Sequence, residues 1–184
     1  YVPISTIARS GNDLMIVTAD GTTLFETVPR HVAFESTAAF GPTTTGNASY
    51  VDGVRIAAAN GANTSAGGSL AAMMQMRDGY ATGMQAQLDE TARGLIKAFA
   101  EVNPGNPADI RPGLFTWPGA PGMPADGVLE TGLAGLITLN PLIDSQQGGN
   151  PELLRDGASF DLNPDDHASF NELLLDIICF GFSN

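Results

Sequence analysis

The apolar positions between residues 69 and 102 recur with helical spacing. Leu70, Met74, Ala81, Met84, Leu88, Leu95, Ala98 and Val102 follow at intervals of 4, 7, 3, 4, 7, 3 and 4, with Arg77 and Thr91 on the missing beats. This near-heptad stripe predicts one long helix, capped by Ser69 and running to about Val102, roughly 50 Å at 1.5 Å per residue. Met73, Tyr80, Ile96 and Phe99 widen the apolar face, so the helix is expected to pack on more than one neighbour. Asp89 and Arg93 are placed for an i,i+4 ion pair. Gly79 and Gly83 each cost about 1 kcal/mol relative to alanine inside a helix. They mark either a kink or the close approach of another backbone.

Ahead of the helix the pattern is that of strands. Leu14–Val17 and Leu24–Phe25 flank Asp20-Gly21, and Asp52-Gly53 sits at the centre of a smaller hairpin over residues 50–56. Asp-Gly between strand-like runs favours a tight turn, because glycine accepts positive φ at little cost. His31–Phe34 adds a short strand, and residues 59–68 read as turn chemistry. After the helix, Asn103-Pro104 opens a proline-rich, irregular stretch to residue 128, which Phe115 and Trp117 anchor to the core. Leu133–Leu139 reads as a strand, and Asn150-Pro151 opens a short helix ending before Gly157. A last helix starts near Asn163-Pro164, with Ser169 and Glu172 as a second capping box. The fold class is α+β: short antiparallel hairpins packed with one long helix and a shorter C-terminal helix, plus an irregular Gly/Pro-rich segment. A single structural domain is expected, with a β and loop part at 1–66, the long helix at 67–103, a loop, strand and helix annex at 104–162 and the C-terminal helix at 163–181. Leu70, Met74, Met84, Leu88, Leu95, Phe99, Val102, Trp117 and Ile177 are the packing or interface candidates.

Twenty acidic and eight basic side chains leave a net charge of −12. Such a surface repels nucleic acid and anionic membrane, so neither is expected as a partner. From Pro121 onward Arg155 is the sole base among ten acids, which reads as a solvated face. No apolar run approaches the roughly 20 residues that span a bilayer, and the opening YVPISTIARS lacks the form of a signal peptide. The single cysteine, Cys179, excludes an internal disulfide framework, and its apolar neighbours favour burial over nucleophilic use. His31 reads as packing or surface. Asp165, Asp166 and His167 are the densest ligand-type cluster and read as helix-entry capping rather than a metal site. DLNPDD at 161–166 offers only a loose calcium spacing. Gly67-Gly68 reads as a helix entry rather than an anion site, since no phosphate-loop lysine follows. No nucleophile and base pairing or cofactor motif stands out, so a non-enzymatic, cofactor-free role is expected.

The segment GGSLAAMMQMRDGYATGMQAQLDETARGLIKAFAEVNP (67–104) resembles the flagellar hook-associated protein family. The residues that carry the likeness are Gly67, Gly68, Leu70, Arg77, Asp78, Leu88, Asp89, Ala92, Phe99, Val102 and Asn103. GNDLMIVTADGTTLFE looks like the family's strand pair ahead of this helix, and GLFT at 113–116 is similar to its Phe-Phe stretch after it. The likeness covers about residues 8–160. It implies an outward-facing central region without the terminal helices that polymerise the axial structure. By the same resemblance the chain is mechanical, extracellular and exported through the flagellar secretion system. Its partners are other axial proteins, the hook protein and a second junction protein, reached through the full-length chain. The isolated fragment is then expected to be a monomer or a weak dimer, with the apolar tail Leu173–Phe182 as a possible patch. The alternative is a secreted carbohydrate- or host-surface-binding module that uses Phe115 and Trp117.

Overall fold

The computed structural model describes residues 1–56 and 67–181, except the side chains of Asp176, Cys179, Phe180 and Gly181. The turn expected at 59–68 thus lies largely outside the described residues, as does the environment of Cys179. The fold class is α+β, with antiparallel hairpins, one long helix and shorter ones. The chain divides into two compact units, Tyr1–Met84 and Gln85–Asn184, where one structural domain is the sequence expectation. The boundary falls within the long helix.

The first unit opens with a four-stranded antiparallel meander: β1 (Ile4–Ala8), β2 (Leu14–Thr18), β3 (Thr23–Glu26) and β4 (Val28–Pro29). The sequence pattern did not reveal β1. A register shift between Ile16 and Val17 marks an irregularity where β2 pairs with β3. A second sheet holds β5 (Val32–Phe34), β6 (Ser49–Val51) and β7 (Val54–Arg55). As expected, Asp52 and Gly53 make the β6–β7 turn, with φ of 48° and 79°. That left-handed pair suits the right-handed twist of the flanking strands.

The long helix is built from α1 (Gly68–Gln75), a π-helical turn at Met76–Tyr80 and α2 (Ala81–Ala98). Its entry differs from the sequence reading, because Gly67 rather than Ser69 is the N-cap and no side chain caps it. The amide of Leu70 donates to the carbonyl of Tyr1 at 3.1 Å instead. Gly68 has φ of 89°, and a Cβ there would lie 2.5 Å from the Tyr1 carbonyl oxygen, so this entry requires glycine. At Gly79 no other backbone approaches closely, since a Cβ there would meet only the Gln75 side chain, at 3.9 Å. The glycine lies inside the π-turn, where one extra residue per turn is accommodated.

In the second unit the helix stops at Ala98, four residues before the expected end. β8 (Ala100–Asn103) and β9 (Asn106–Pro112) form an antiparallel hairpin instead, so part of the stretch expected to be irregular is strand. Alternation explains the change: Glu101 points inward and is buried, whereas Val102 faces out opposite Ile110. β10 (Phe115–Thr116) pairs with β11 (Thr138–Leu139). The strand expected over 133–139 is therefore reduced to its last two residues, because Leu133–Gly135 forms a 3-10 turn. α3 (Leu153–Asp156) follows Asn150-Pro151 much as expected. The last helix, α4 (Glu172–Gly181), starts nine residues later than Asn163. Ser169 therefore does not cap it, and Asn163 serves a turn: its amide nitrogen donates to Asp156 and to the His167 carbonyl, and its oxygen accepts from the His167 amide.

Two buried carboxylates organise this unit. Asp89, 1% exposed, accepts hydrogen bonds from the Gly132 and Ala134 amides and from Gln85, each at 2.8 Å. Glu101 accepts from the amides of Ala158, Ser159 and Phe160 at 2.8 to 3.1 Å. Between these latches lies the core of Ala92, Ile96 and Leu133, flanked by Phe115, Trp117, Met123, Ala134 and Ile137. The expected Asp89–Arg93 pair is thus replaced. Arg93 instead bonds Glu90 and Asp126.

Burial pushes the Asp89 carboxyl up, but the amides of Ala134 and Gly132 and the Gln85 side chain outweigh it and hold it below the usual range. A carboxyl whose folded value is lowered contributes stability above its unfolded value of about 3.9, and the contribution fades as pH falls through the folded value. Asp89→Ala strands two amides and is expected to cost about 2 to 4 kcal/mol at pH 7. The deficit should shrink in urea titrations repeated toward pH 2. An equal deficit at both pH values would show that the ionised carboxylate is not what the amides hold.

Candidate functional site

The apolar stripe and the buried face of the long helix are different faces. In the second unit's part of the helix the buried residues are Asp89, Ala92 and Ile96, with Gln85 half-buried. Leu88, one residue and about 100° away from Asp89, is 56% exposed, and Leu95 is exposed beside it. In the first unit's part, Met74 is buried while Met73, Met76, Tyr80 and Met84 are exposed, Met84 at 65%. The face chosen for burial is the one that carries the Asp89 latch. A leucine at 88 cannot supply the hydrogen bonds that the 132–134 turn needs.

The remaining packing candidates fall on both sides of this division. Leu70 and Met74 line a small apolar pocket in the first unit with Val2, Pro3, Thr18 and Ile56. Phe99 meets Phe115 edge-on, with ring centroids 5.3 Å apart and planes at 85°. Phe115 and Trp117 anchor their segment to the core, as expected, and the Trp117 indole nitrogen donates to the Gly122 carbonyl at 2.8 Å. Val102 is exposed on β8, and Ile177 is half-buried on α4.

Arg77 supplies an attachment that stripe-counting passes over, since it sits on a missing beat. Its guanidinium forms a two-pronged pair with Asp78, at 2.6 and 2.7 Å, and donates to the Asn47 carbonyl at 3.0 Å. The Arg77 hydrogen bond holds the Asp78 carboxyl below its usual range. A Cβ on Gly46 would lie 2.2 Å from the guanidinium carbon, so the loop before β6 closes directly onto the π-turn.

Asp165, Asp166 and His167 lie in a turn ahead of α4 rather than at its entry, and Asp161 accepts from the Asn163 amide. Among the described residues no three His, Cys, Asp or Glu side chains are grouped to hold a metal ion, and no helix is long and apolar enough to cross a membrane. Among the described residues, Met84, Leu88 and Leu95 are exposed apolar side chains of α2, and Gly83 and Gly94 lie roughly 100° round the helix from them. A Cβ on either glycine would meet nothing within 4 Å. Comparison with known protein families, with characterised proteins and with solved structures finds no match to the chain.

Leu88→Ala is therefore expected to lower unfolding stability by less than about 1 kcal/mol, whereas Ile96→Ala, at 0% exposure, should cost about 2 to 5 kcal/mol. Denaturant midpoints of the two variants check this directly, and similar losses would place Leu88 in the core. Gly94→Ala should stabilise the isolated chain by about 0.4 to 1 kcal/mol, since the added methyl meets no atom.

Proposed function

We propose that this chain is a non-enzymatic structural component of the bacterial flagellum, the outward-facing central region of the junction protein that connects hook and filament. The observation that carries the reading is the role of the residues on which the likeness rests. Gly68 shapes the helix entry, Arg77 and Asp78 close the π-turn on the Asn47 loop, and Asp89 and Ala92 register the core. Phe99 stacks on Phe115, and Asn103 turns the hairpin by accepting from the Gly105 amide at 2.9 Å. The likeness is thus concentrated where it specifies a fold. The exposed Leu88 and Leu95 on α2 suit a protein that works by packing against helices of its own full-length chain or of the hook protein and the second junction protein. An extracellular place and export by the flagellar secretion system belong to the same reading. Phe115 and Trp117 are engaged inside the fold, which favours the mechanical role over carbohydrate or host-surface binding.

Immunogold microscopy with antibodies raised against this chain tests the proposal on the producing bacterium. Gold is expected at the hook–filament junction of intact flagella. Label confined to the cytoplasm, or on cells but away from flagella, would sink it. Leu88→Asp in the full-length product should leave the fold intact and reduce the protein recovered in sheared flagella. Unchanged recovery would remove the helix face from the proposal.

A further inference from the structure

β1 is the outer strand of its sheet, and among the described residues no strand pairs with its free edge. The hydrogen-bond pattern fixes which backbone groups face outward. The Arg9 amide donates to the Asp13 carbonyl, so residues 9, 7 and 5 turn their polar groups toward β2. At the other end Ile4 is opposite Thr18, whose amide donates to Thr22 and thus points away from β1. Both ends agree: Ile4, Thr6 and Ala8 present their N–H and C=O groups to the outside.

Natural edge strands are blunted by charge, proline, bulges or shortness. The other edges here follow that rule. β4 has two residues and ends in Pro29, β5 has three and β7 two, and β9 carries Pro107, Asp109 and Arg111. β1 reads ISTIA, is exposed throughout, and has none of these devices. The nearest charge, Arg9, is already paired with Glu26 at 2.6 Å.

We infer that β1 is a docking edge for a second copy of this chain, paired antiparallel about a two-fold axis at Thr6. The argument for a second copy is self-complementarity. A two-fold axis normal to the sheet keeps faces matched only if a residue pairs with itself. Centring on Thr6 places Ile4 opposite Ala8 of the second copy, Thr6 opposite Thr6, and Ala8 opposite Ile4. These are the residues whose polar groups point outward, so every outward group finds a partner. Threonine facing threonine and isoleucine facing alanine are compatible cross-strand neighbours, and no like charges meet. The net charge of −12 opposes association, so the dimer should strengthen with salt. The inference is independent of the flagellar reading.

The test uses the whole chain. In a Cys179→Ala background, Thr6→Cys puts two thiols across a pair whose Cα atoms are about 5.5 Å apart, within disulfide range. Ser5→Cys and Ile7→Cys would each be about 8 Å from their own copy, beyond that range. Under mild oxidation Thr6→Cys is expected to form covalent dimer at least about tenfold faster than either neighbour. Thr6→Pro removes an outward N–H that β2 does not use, and should raise the dimer dissociation constant at least about tenfold in sedimentation equilibrium, with the circular dichroism unchanged. Equal crosslinking at the three positions, or a folded Thr6→Pro that dimerises as well as the parent, would overturn the inference. So would a parent that stays monomeric at the highest concentration and salt. If Thr6→Pro fails to fold, the crosslinking ratio alone decides.

Discussion

The Asp89 carboxylate, buried on the inner side of the long helix, sets the arrangement of the unit around it. An ionised group at 1% exposure is tolerable only if its oxygens are well hydrogen-bonded. Here they accept from two backbone amides and one side-chain amide. The amides belong to the turn entered by Gly132 and continued by Leu133–Gly135, and that turn delivers Leu133 against Ala92 and Ile96. The polar contact thus sets the position of the apolar one. Glu101 repeats the device on the hairpin and collects the amides of residues 158–160. Most of the segment from Gly113 to Asn171 is turn and loop, so its backbone donors cannot rely on ladders. Carboxylates projecting from regular elements satisfy some of them instead.

This device also explains what the sequence made legible. The hairpins at Asp20-Gly21 and Asp52-Gly53 were readable because their turns are local chemistry, and the long helix was readable because thirty residues share one period. The buried face was not. Periodicity counts apolar positions, and it placed the seam on Met84, Leu88 and Leu95. The folded chain instead buries the adjacent face, where an aspartate, an alanine and an isoleucine sit. No window average rewards an aspartate for amides forty-three residues away. The helix end was missed for a similar reason. Val102 keeps the helical beat, but a non-local partner, Ile110, draws it into a strand. At Asn163-Pro164 the helix-start signal is real local chemistry, used to close a turn on Asp156 and His167.

The positions on which the proposed flagellar reading rests and the exposed apolar positions of α2 overlap little. Gly68, Arg77, Asp89, Ala92, Phe99 and Asn103 make internal contacts, whereas Met84 and Leu95 make the outer face. Leu88 and Val102 are exposed although the likeness also rests on them. Folds are shared more widely than the functions placed on them. A likeness at the internal positions therefore bears first on how the chain folds. What the chain does has to be sought on the outer face.

The exposed sides of α2 have an energetic peculiarity. Gly83 and Gly94 each weaken the helix by about 1 kcal/mol relative to alanine, and among the described residues a Cβ on either would meet nothing within 4 Å. The exposed Met84, Leu88 and Leu95 forgo roughly 25 cal/mol for each Å² of apolar surface left in water. Both features count against the isolated chain. The second becomes favourable if another helix covers Leu88 and Leu95. The Asp89 latch holds the adjacent side of the same helix turns fixed, so such a neighbour would meet a surface already ordered, and little conformational entropy would be lost on contact. The carboxylate that organises the interior thereby also presents the exterior.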